Sequence, residues 1–470
     1  DVGGLGIGLE QSESADLLVQ LLVGILARPG DPENLPGYLD SVEIRNASIV
    51  LADRKTGLEW IVLSGGIELL RDGEGVRLRA ELPYRNAGES SEILLSGIYS
   101  TQESALSLTF VFDEVKSSSF VELIPKIPSV EDINLNISGT LNLQVVFREE
   151  TAVIEQAKLE IDYGEGVIAL SHPMKRKYLL SNMKLYATAS SGFDKINVEE
   201  LSLSLTGDNG VDTAARLKVQ STQMRSKPNI SAQLELDDLS WADIQINWPA
   251  EAAPNLRKWV QDNLVTGHIT NASFDLLLGG ESSSELGLTD LKGYADFDEF
   301  EVVYNKEMPS IDNLSGKLSI GQAEVSIDIS NGNIASRETN KLLDLTSGRV
   351  RLHGLNTGSP MVDLDLIING GLREAISLID GQPLNYASFL GLSSLSTSGE
   401  VEVLLGLDFP IIQKLSLEQF EMNTQAKIQN ATINSIAFGL PLESGQFSLA
   451  LDNSGMDVVG TASIGGIQTG

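Results

Sequence analysis

Residues 157–163 read Ala-Lys-Leu-Glu-Ile-Asp-Tyr, a strict alternation of apolar and polar side chains that is typical of a β-strand with one apolar face. Successive side chains of a strand point to opposite sides, so Leu159 and Ile161 are expected on the same face. The same alternation recurs along the chain at four further apolar pairs: Leu201 and Leu203, Leu234 and Leu236, Ile327 and Ile329, and Leu364 and Leu366.

Short polar stretches rich in glycine separate many of these segments. Gly164-Glu165-Gly166 and Asn331-Gly332-Asn333 are two examples, and both have the composition of hairpin turns. Counting by alternation predicts on the order of thirty strands of about 6–10 residues. No fixed short period is present, which argues against a regular β-helix or propeller. The sequence therefore predicts an all-β fold of mainly antiparallel strands.

Helical signals are few, and the clearest covers residues 254–264. Pro254 is acceptable in a first turn, and Leu256, Trp259 and Val260 fall on one face at helical spacing. Gly267 then separates the helix from a new alternating segment. We expect this short helix to anchor against the sheet through those three side chains. Further short helices are predicted at residues 12–28, 117–124, 371–379 and 384–390.

Composition excludes several classes of function. The net charge of −32 repels phosphate backbones, so nucleic-acid binding is not expected. The absence of cysteine excludes disulfides and thiolate metal sites, and His172, His268 and His353 are isolated from one another in sequence. No nucleophile and base occur at a recognised spacing. We therefore predict no metal, no cofactor and no enzymatic activity.

The compartment is also suggested by composition. An acidic chain without cysteine fits a bacterial compartment outside the cytoplasm. The longest apolar run, residues 17–27, is shorter than the roughly 20 residues that a membrane-spanning helix needs. Because Asp1 is not an initiator Met, we expect a fragment whose membrane anchor lies outside this sequence.

Three architectures satisfy the alternation. The apolar faces could pack as a two-layer sandwich, fill a closed barrel, or line one long twisted sheet that curls into an open groove. The pattern alone does not choose among them. In each case the inner face is rich in Leu, Ile and Val and poor in aromatic residues, which is a surface that suits acyl chains.

The stretch around the predicted helix resembles the AsmA-like superfamily and is closest to its YhdP branch. The residues that carry the likeness are Trp248-Pro249, Arg257, Trp259, Val260, Asn263-Leu264 and Gly267. Residues 297–316, with Tyr304 and Met308-Pro309, and residues 382–399, with Gln382-Pro383-Leu384, Tyr386 and Ser398-Gly399, are also similar to this family. Residues 41–60 are similar to a common family hairpin.

The resemblance implies a fold and a function. The fold would be a long, twisted, mainly antiparallel sheet curled into an elongated, taco-like groove. A first β-groove segment would span residues 1–247, and a second, YhdP-type segment would span residues 248–470 and begin with the short helix. The leucines and isoleucines of the five alternating pairs would line the groove.

The function implied is bridge-like lipid transfer. The protein would span the periplasm, anchored in the inner membrane through a missing N-terminal segment and in contact with the outer membrane. Phospholipids would be its partners, and their acyl chains would slide along the groove. The alternative is a structural or adhesive β-rod of the cell envelope that carries no lipid.

Overall fold

The computed structural model describes residues 40–53, 58–72, 75–86, 89–117, 130–148, 151–170, 176–206, 212–247, 254–282, 285–355, 357, 359–380, 396–412, 419–437 and 440–469. The helices predicted at residues 12–28 and 384–390 lie outside these ranges, as does nearly all of the one predicted at residues 117–124. Within them, no helix combines the length and the apolar character needed to cross a bilayer.

The prediction of an all-β fold built on an antiparallel sheet is confirmed. Within the described ranges the sheet has 22 strands. Three short helices accompany them in the described ranges: α1 (Trp241–Asn247), α2 (Pro254–Asn263) and α3 (Leu372–Asp380). The second and third lie where the sequence predicts helices, at residues 254–264 and 371–379.

The chain divides into two compact units, and each has its own apolar core. The first unit comprises Asp1–Leu234 and Leu276–Thr289. Its strands are β1 (Ser41–Asp53), β2 (Leu58–Asp72), β3 (Gly75–Asn86), β4 (Glu89–Ser100), β5 (Ala105–Lys116), β6 (Val130–Arg148), β7 (Thr151–Leu170), β8 (Arg176–Ser190), β9 (Lys195–Thr206) and β10 (Asp212–Thr222).

The second unit comprises Glu235–Asp275 and Asp290–Gly470. Three strands contribute residues to both units: β11 (Asn229–Ser240), β12 (His268–Gly279) and β13 (Gly287–Val302). The remaining strands are β14 (Ile311–Ile320), β15 (Glu324–Ala335), β16 (Leu342–His353), β17 (Met361–Gly371), β18 (Thr397–Pro410), β19 (Glu421–Ala437), β20 (Leu440–Asp452), β21 (Gly455–Ile464) and β22 (Ile467–Thr469).

Strands that follow one another in sequence pair antiparallel from β1 to β10 and from β13 to β22. Among the described pairings, β1 joins β2 and β22 joins β21, and the two are not joined to each other. The sheet is therefore open, which agrees with the predicted groove.

The strands are longer than the alternation suggested, because two glycine-containing stretches that resemble turns lie inside strands. The predicted turn at Gly164-Glu165-Gly166 lies within β7, which has 20 residues. A Cβ atom on Gly166 would lie 2.2 Å from the carbonyl oxygen of Asn134 on β6. The predicted turn at residues 331–333 is likewise part of β15. Here glycine permits close approach between strands rather than chain reversal.

β-Bulges keep apolar residues on one face where the alternation breaks. In β5 the register shifts between Phe112 and Val115, and Glu114 has a φ of 48°. The Glu114 N–H donates to the hydroxyl of Ser138 on β6 (2.9 Å), which in turn donates to Asp113 (2.6 Å). The additional residue returns Val115 to the buried side, and such bulges bend and twist the strand.

The same device recurs in the second unit. In β13 the register shifts between Phe297 and Phe300, and Glu299 has a φ of 55°. The carboxylate of Asp298 accepts hydrogen bonds from the Glu299 N–H (2.9 Å) and from the Ser315 hydroxyl on β14. Further left-handed residues at register shifts are Asn46, Asn313, Asn430 and Ser444.

Helix α1 starts with a side-chain cap and places a tryptophan in the core. The Asp243 N–H donates to the Ser240 hydroxyl (3.1 Å), as an N-terminal cap does. Trp241 is 5% exposed, and its Nε1 donates to the carbonyl of Leu264 (3.0 Å). Its ring meets the edge of Phe300 at a centroid distance of 6.1 Å. Trp241 thus links α1 to the end of α2 and to β13.

One of the three predicted anchor residues of α2 lies in the apolar core of the second unit. Val260 is buried in the same apolar cluster as Trp241 and Phe300. Leu256 and Trp259 lie on the helix as predicted, and their side chains fall outside the described part of the structure. The tryptophan that the described cluster contains is Trp241, which the sequence pattern did not single out.

A substitution at Gly267 tests the packing of the helices against Phe300 on β13. The φ of Gly267 is 150°, and a Cβ atom there would lie 2.3 Å from Cγ of Phe300. We predict that Gly267→Ala lowers the free energy of unfolding by about 2–4 kcal/mol through strain and overpacking. Urea unfolding monitored by tryptophan fluorescence measures this. Gly287→Ala is the control, because no atom lies within 4 Å of its Cβ position. Equal midpoints for the two variants would contradict the prediction.

Candidate functional site

An apolar row crosses the first unit from β1 to β10. Its residues are paired directly across neighbouring strands, so their side chains share one face of the sheet. The row is Ile44, Ile67, Ala80, Leu95, Phe110, Leu141, Leu159, Ala187, Val198 and Val219. The apolar face is therefore continuous across every described strand of this part of the sheet.

The opposite face carries a polar row in the same strands. It runs through Glu43, Glu68, Arg79, Ser96, Thr109, Asn142, Lys158, Thr188, Asn197 and Gln220. Thr109 donates a hydrogen bond to Asn142 (2.8 Å) across β5 and β6. Water can solvate this polar face, whereas the opposite face consists of apolar side chains.

The predicted groove residues of the first unit come together on the apolar face. Ile161 pairs with Leu185, which pairs with Leu201 on the next strand. Leu159 and Leu203 pack into the same cluster, around the buried side chains of Phe112, Val115, Leu135, Leu180 and Met183. Ile161 is buried, whereas Leu159, Leu201 and Leu203 are half-buried, so part of the face stays accessible.

Leu234 and Leu236 are placed differently. Both lie on β11 and are half-buried. They fall on either side of the division between the two units, and they are not members of the apolar clusters formed by the described residues. Their assignment to a groove remains a prediction.

The second unit repeats the arrangement. An apolar row runs from β13 to β19 through Ala295, Leu318, Ile327, Val350, Leu364, Leu407 and Met422. A parallel row contains Ile329, Gly348, Leu366 and Leu405. The structure thus brings the predicted residues Ile327, Ile329, Leu364 and Leu366 onto one face.

The other face of the second unit is held by ion pairs across neighbouring strands. Arg349 donates from Nε to Asp328 (2.6 Å), and Arg351 donates from Nε to Asp363 (2.9 Å). His353 lies 3.0 Å from Asp363 as well. These pairs are at least partly exposed, so each contributes at most about 1 kcal/mol. The ion pairs make this face polar but contribute little to the stability of the fold.

Carboxylates crowd one part of this charged face. Asp408 lies between Asp363 on β17 and Glu421 on β19 in the cross-strand pairing. Burial, followed by repulsion from Asp363, Asp365 and Glu421, raises the pKa of Asp408 above its usual value. In Asp363 burial acts to raise the pKa, but hydrogen bonds from Arg351 and His353 outweigh it, and the pKa is lowered.

Helices cover the apolar face of the second unit only in places. Leu345 is 0% exposed in the cluster that contains Trp241 and Val260. Helix α3 packs Leu372 and Ile376 against a separate cluster on β18 to β21. The apolar residues Leu364, Leu366, Leu405 and Leu407 are only half-buried. This accessible hydrocarbon, flanked by covered ends, is the candidate site.

An open antiparallel sheet whose two units each have a continuous apolar row on one face and polar or charged residues on the other defines a class of proteins that offer extended hydrophobic surface. A family model described as YhdP protein matches residues 102–461, more than half of the 470 residues. The chain belongs to the YhdP family, an AsmA-like family of bridge-like lipid-transfer proteins of the cell envelope. It matches no curated protein and no solved structure.

Asp408 gives a pH-dependent test of the charged face. Its pKa is raised in the folded state, so its carboxylate destabilises the fold above that pKa and has no effect when protonated. We predict that Asp408→Asn raises Tm at pH 7 by on the order of 1 °C and leaves Tm unchanged near pH 3. Differential scanning calorimetry at the two pH values measures this.

Asp452 serves as the control, because its pKa is shifted in the opposite direction from that of Asp408. The side chain of Asp452 accepts a hydrogen bond from Ser454, which lowers its pKa, so Asp452 stabilises the fold at neutral pH and loses this effect as pH falls. Asp452→Asn should therefore lower Tm at pH 7. The same sign of change in both variants at pH 7 would contradict the electrostatic account.

Proposed function

We propose that this protein carries phospholipids between the inner and outer membranes, across the periplasm, by holding their acyl chains on the apolar face of its sheet. The observation that carries the proposal is the continuity of the apolar rows from β1 to β10 and from β13 to β19. Membership of the YhdP family supports it.

The energetics favour acyl chains as the cargo. Each methylene group moved from water onto an apolar surface gains about 0.8 kcal/mol at full burial. The apolar rows consist mainly of Leu, Ile, Val and Ala, and aromatic residues make up only 6% of the chain. Such a surface binds hydrocarbon without the stacking platforms that sugars and bases require.

Continuity matters because a lipid must move along the sheet without leaving hydrocarbon. Neighbouring strands lie roughly 4.8 Å apart, so successive apolar side chains in a row are within reach of one acyl chain. An acyl chain that slides from one strand to the next replaces its apolar contacts with equivalent ones at each step. The proposal therefore needs no chemical reaction, and we propose that the protein is not an enzyme and uses no cofactor.

Lipid content is the direct measurement. We expect phospholipid to co-purify with the protein and to be detected by native mass spectrometry and by solvent extraction. After delipidation, the protein should bind a fluorescent fatty-acyl probe at several sites. Absence of both lipid and probe binding would favour the structural or adhesive rod over transport.

Leu203 and Ser202 offer a matched pair of variants on opposite faces. Leu203 lies on the apolar face beside Met183 and Ala215, whereas Ser202 pairs with Lys184 and Arg216 on the polar face. We predict that Leu203→Glu reduces transfer of labelled phospholipid between vesicles at least about thirtyfold. The reason is that an unpaired carboxylate against an acyl chain costs at least roughly 2 kcal/mol.

Ser202→Glu is the control, because its new carboxylate faces two cations in water. Transfer by this variant should equal that of the wild-type protein. Circular dichroism checks that both variants keep the sheet. Equal transfer by a folded Leu203→Glu variant would contradict the assignment of this face to the lipid path.

A further inference from the structure

A cavity of about 200 Å³ lies in the second unit, between the hairpin of β15 and β16, the end of α3 and the segment before β14. Its apolar wall is formed by Met308, Pro309, Ile334, Leu343 and Leu378. Its polar wall includes Glu307, Arg337, Glu338 and Asp380 together with the hydroxyls of Ser336 and Ser377. Hydrocarbon and charge thus meet in one cavity.

The apolar wall is continuous with the apolar face of the sheet. Ile334 pairs with Ile311 on β14 and with Leu343 on β16. Ile334 is 4% exposed and Leu343 is 1% exposed. Ile311 belongs to the apolar cluster that also contains Ile327 and Leu366. The buried apolar residues of the sheet therefore extend to this cavity, where the half-buried side chains of Met308 and Leu378 are accessible to an acyl chain.

The polar wall carries one cation, Arg337, and three carboxylates, those of Glu307, Glu338 and Asp380. Arg337 is exposed and forms no ion pair with any residue in the described ranges, although the protein has a net charge of −32. The carboxylate of Glu307 likewise forms no ion pair in those ranges. Both line the same cavity. A ligand with a negative and a positive group could engage each of them.

Tyr304 adds a polar group near Arg337. Burial raises the pKa of Tyr304, and the positive charge of Arg337 opposes the increase. The phenol therefore stays protonated at neutral pH and can donate a hydrogen bond.

We propose that this cavity seats the headgroup of a zwitterionic aminophospholipid, with its phosphate at Arg337 and its ammonium group at Glu307. The inference rests on the proposed lipid-carrying function and assigns a headgroup preference to it. The acyl chains would leave the cavity past the half-buried side chains of Met308 and Leu378.

The test is a competition among three lipids with identical acyl chains: phosphatidylethanolamine, phosphatidylglycerol and diacylglycerol. Delipidated protein is incubated with vesicles that contain all three, and the bound lipids are quantified by mass spectrometry. We expect wild-type protein to bind phosphatidylethanolamine about three- to fivefold over phosphatidylglycerol, and both over diacylglycerol, as partly exposed charged contacts allow.

Two variants separate the roles of the two charges. Arg337→Gln should reduce the bound amount of both phospholipids, relative to bound diacylglycerol, about three- to fivefold. Glu307→Gln should reduce the bound amount of phosphatidylethanolamine relative to phosphatidylglycerol, and should leave the ratio of phosphatidylglycerol to diacylglycerol unchanged. Arg337→Lys should retain part of the preference. Arg79→Gln, which removes an exposed arginine on the polar face of the first unit, should leave all ratios unchanged.

The outcomes distinguish this inference from the proposed function. Binding of all three lipids in their vesicle proportions would overturn the headgroup site and leave lipid carriage intact. Binding of no lipid would overturn the proposed function itself. Soluble glycerophosphoethanolamine is added in a separate arm. If it binds as tightly as the intact lipid, the ligand is a soluble phosphate ester and the lipid assignment is wrong.

Discussion

Cross-strand hydrogen bonding in one register is the constraint on which the two faces depend. Side chains alternate along each strand, so a slip of one residue would exchange the apolar and polar faces of that strand. Leu159 would then lie on the side of Lys158, and the row from Ile44 to Val219 would be interrupted. The apolar face exists because every described pairing in this row has apolar residues opposite each other.

Bulges maintain that register where two polar residues separate apolar ones. Phe112 and Val115, like Phe297 and Phe300, would face opposite sides in a regular strand. A left-handed glutamate in each bulge restores the common face, and a serine on the next strand bonds the neighbouring aspartate. These hydrogen bonds offset the cost of the unusual backbone conformation, which is about 1–3 kcal/mol per residue.

The apolar face is covered unevenly, and this links the fold to the proposed transport. Trp241 and α3 bury the ends of the face in the second unit, whereas Leu364 and its neighbours stay half-buried. Exposed apolar surface is unfavourable in water, so a bound acyl chain would stabilise it. The charged rows on the other side, with a net charge of −32, oppose association between sheets.

The sequence by itself determined the strand class, the faces of residues such as Leu159 and Ile327, and the helix at Pro254–Asn263, because alternation and helical spacing are local properties. Only the tertiary structure decided that Gly166 and Gly332 lie within strands, that Trp241 joins the core, and that Glu307, Arg337 and Asp380 line one cavity. These features depend on which strands and helices approach each other, and local periodicity carries no information about such distant contacts.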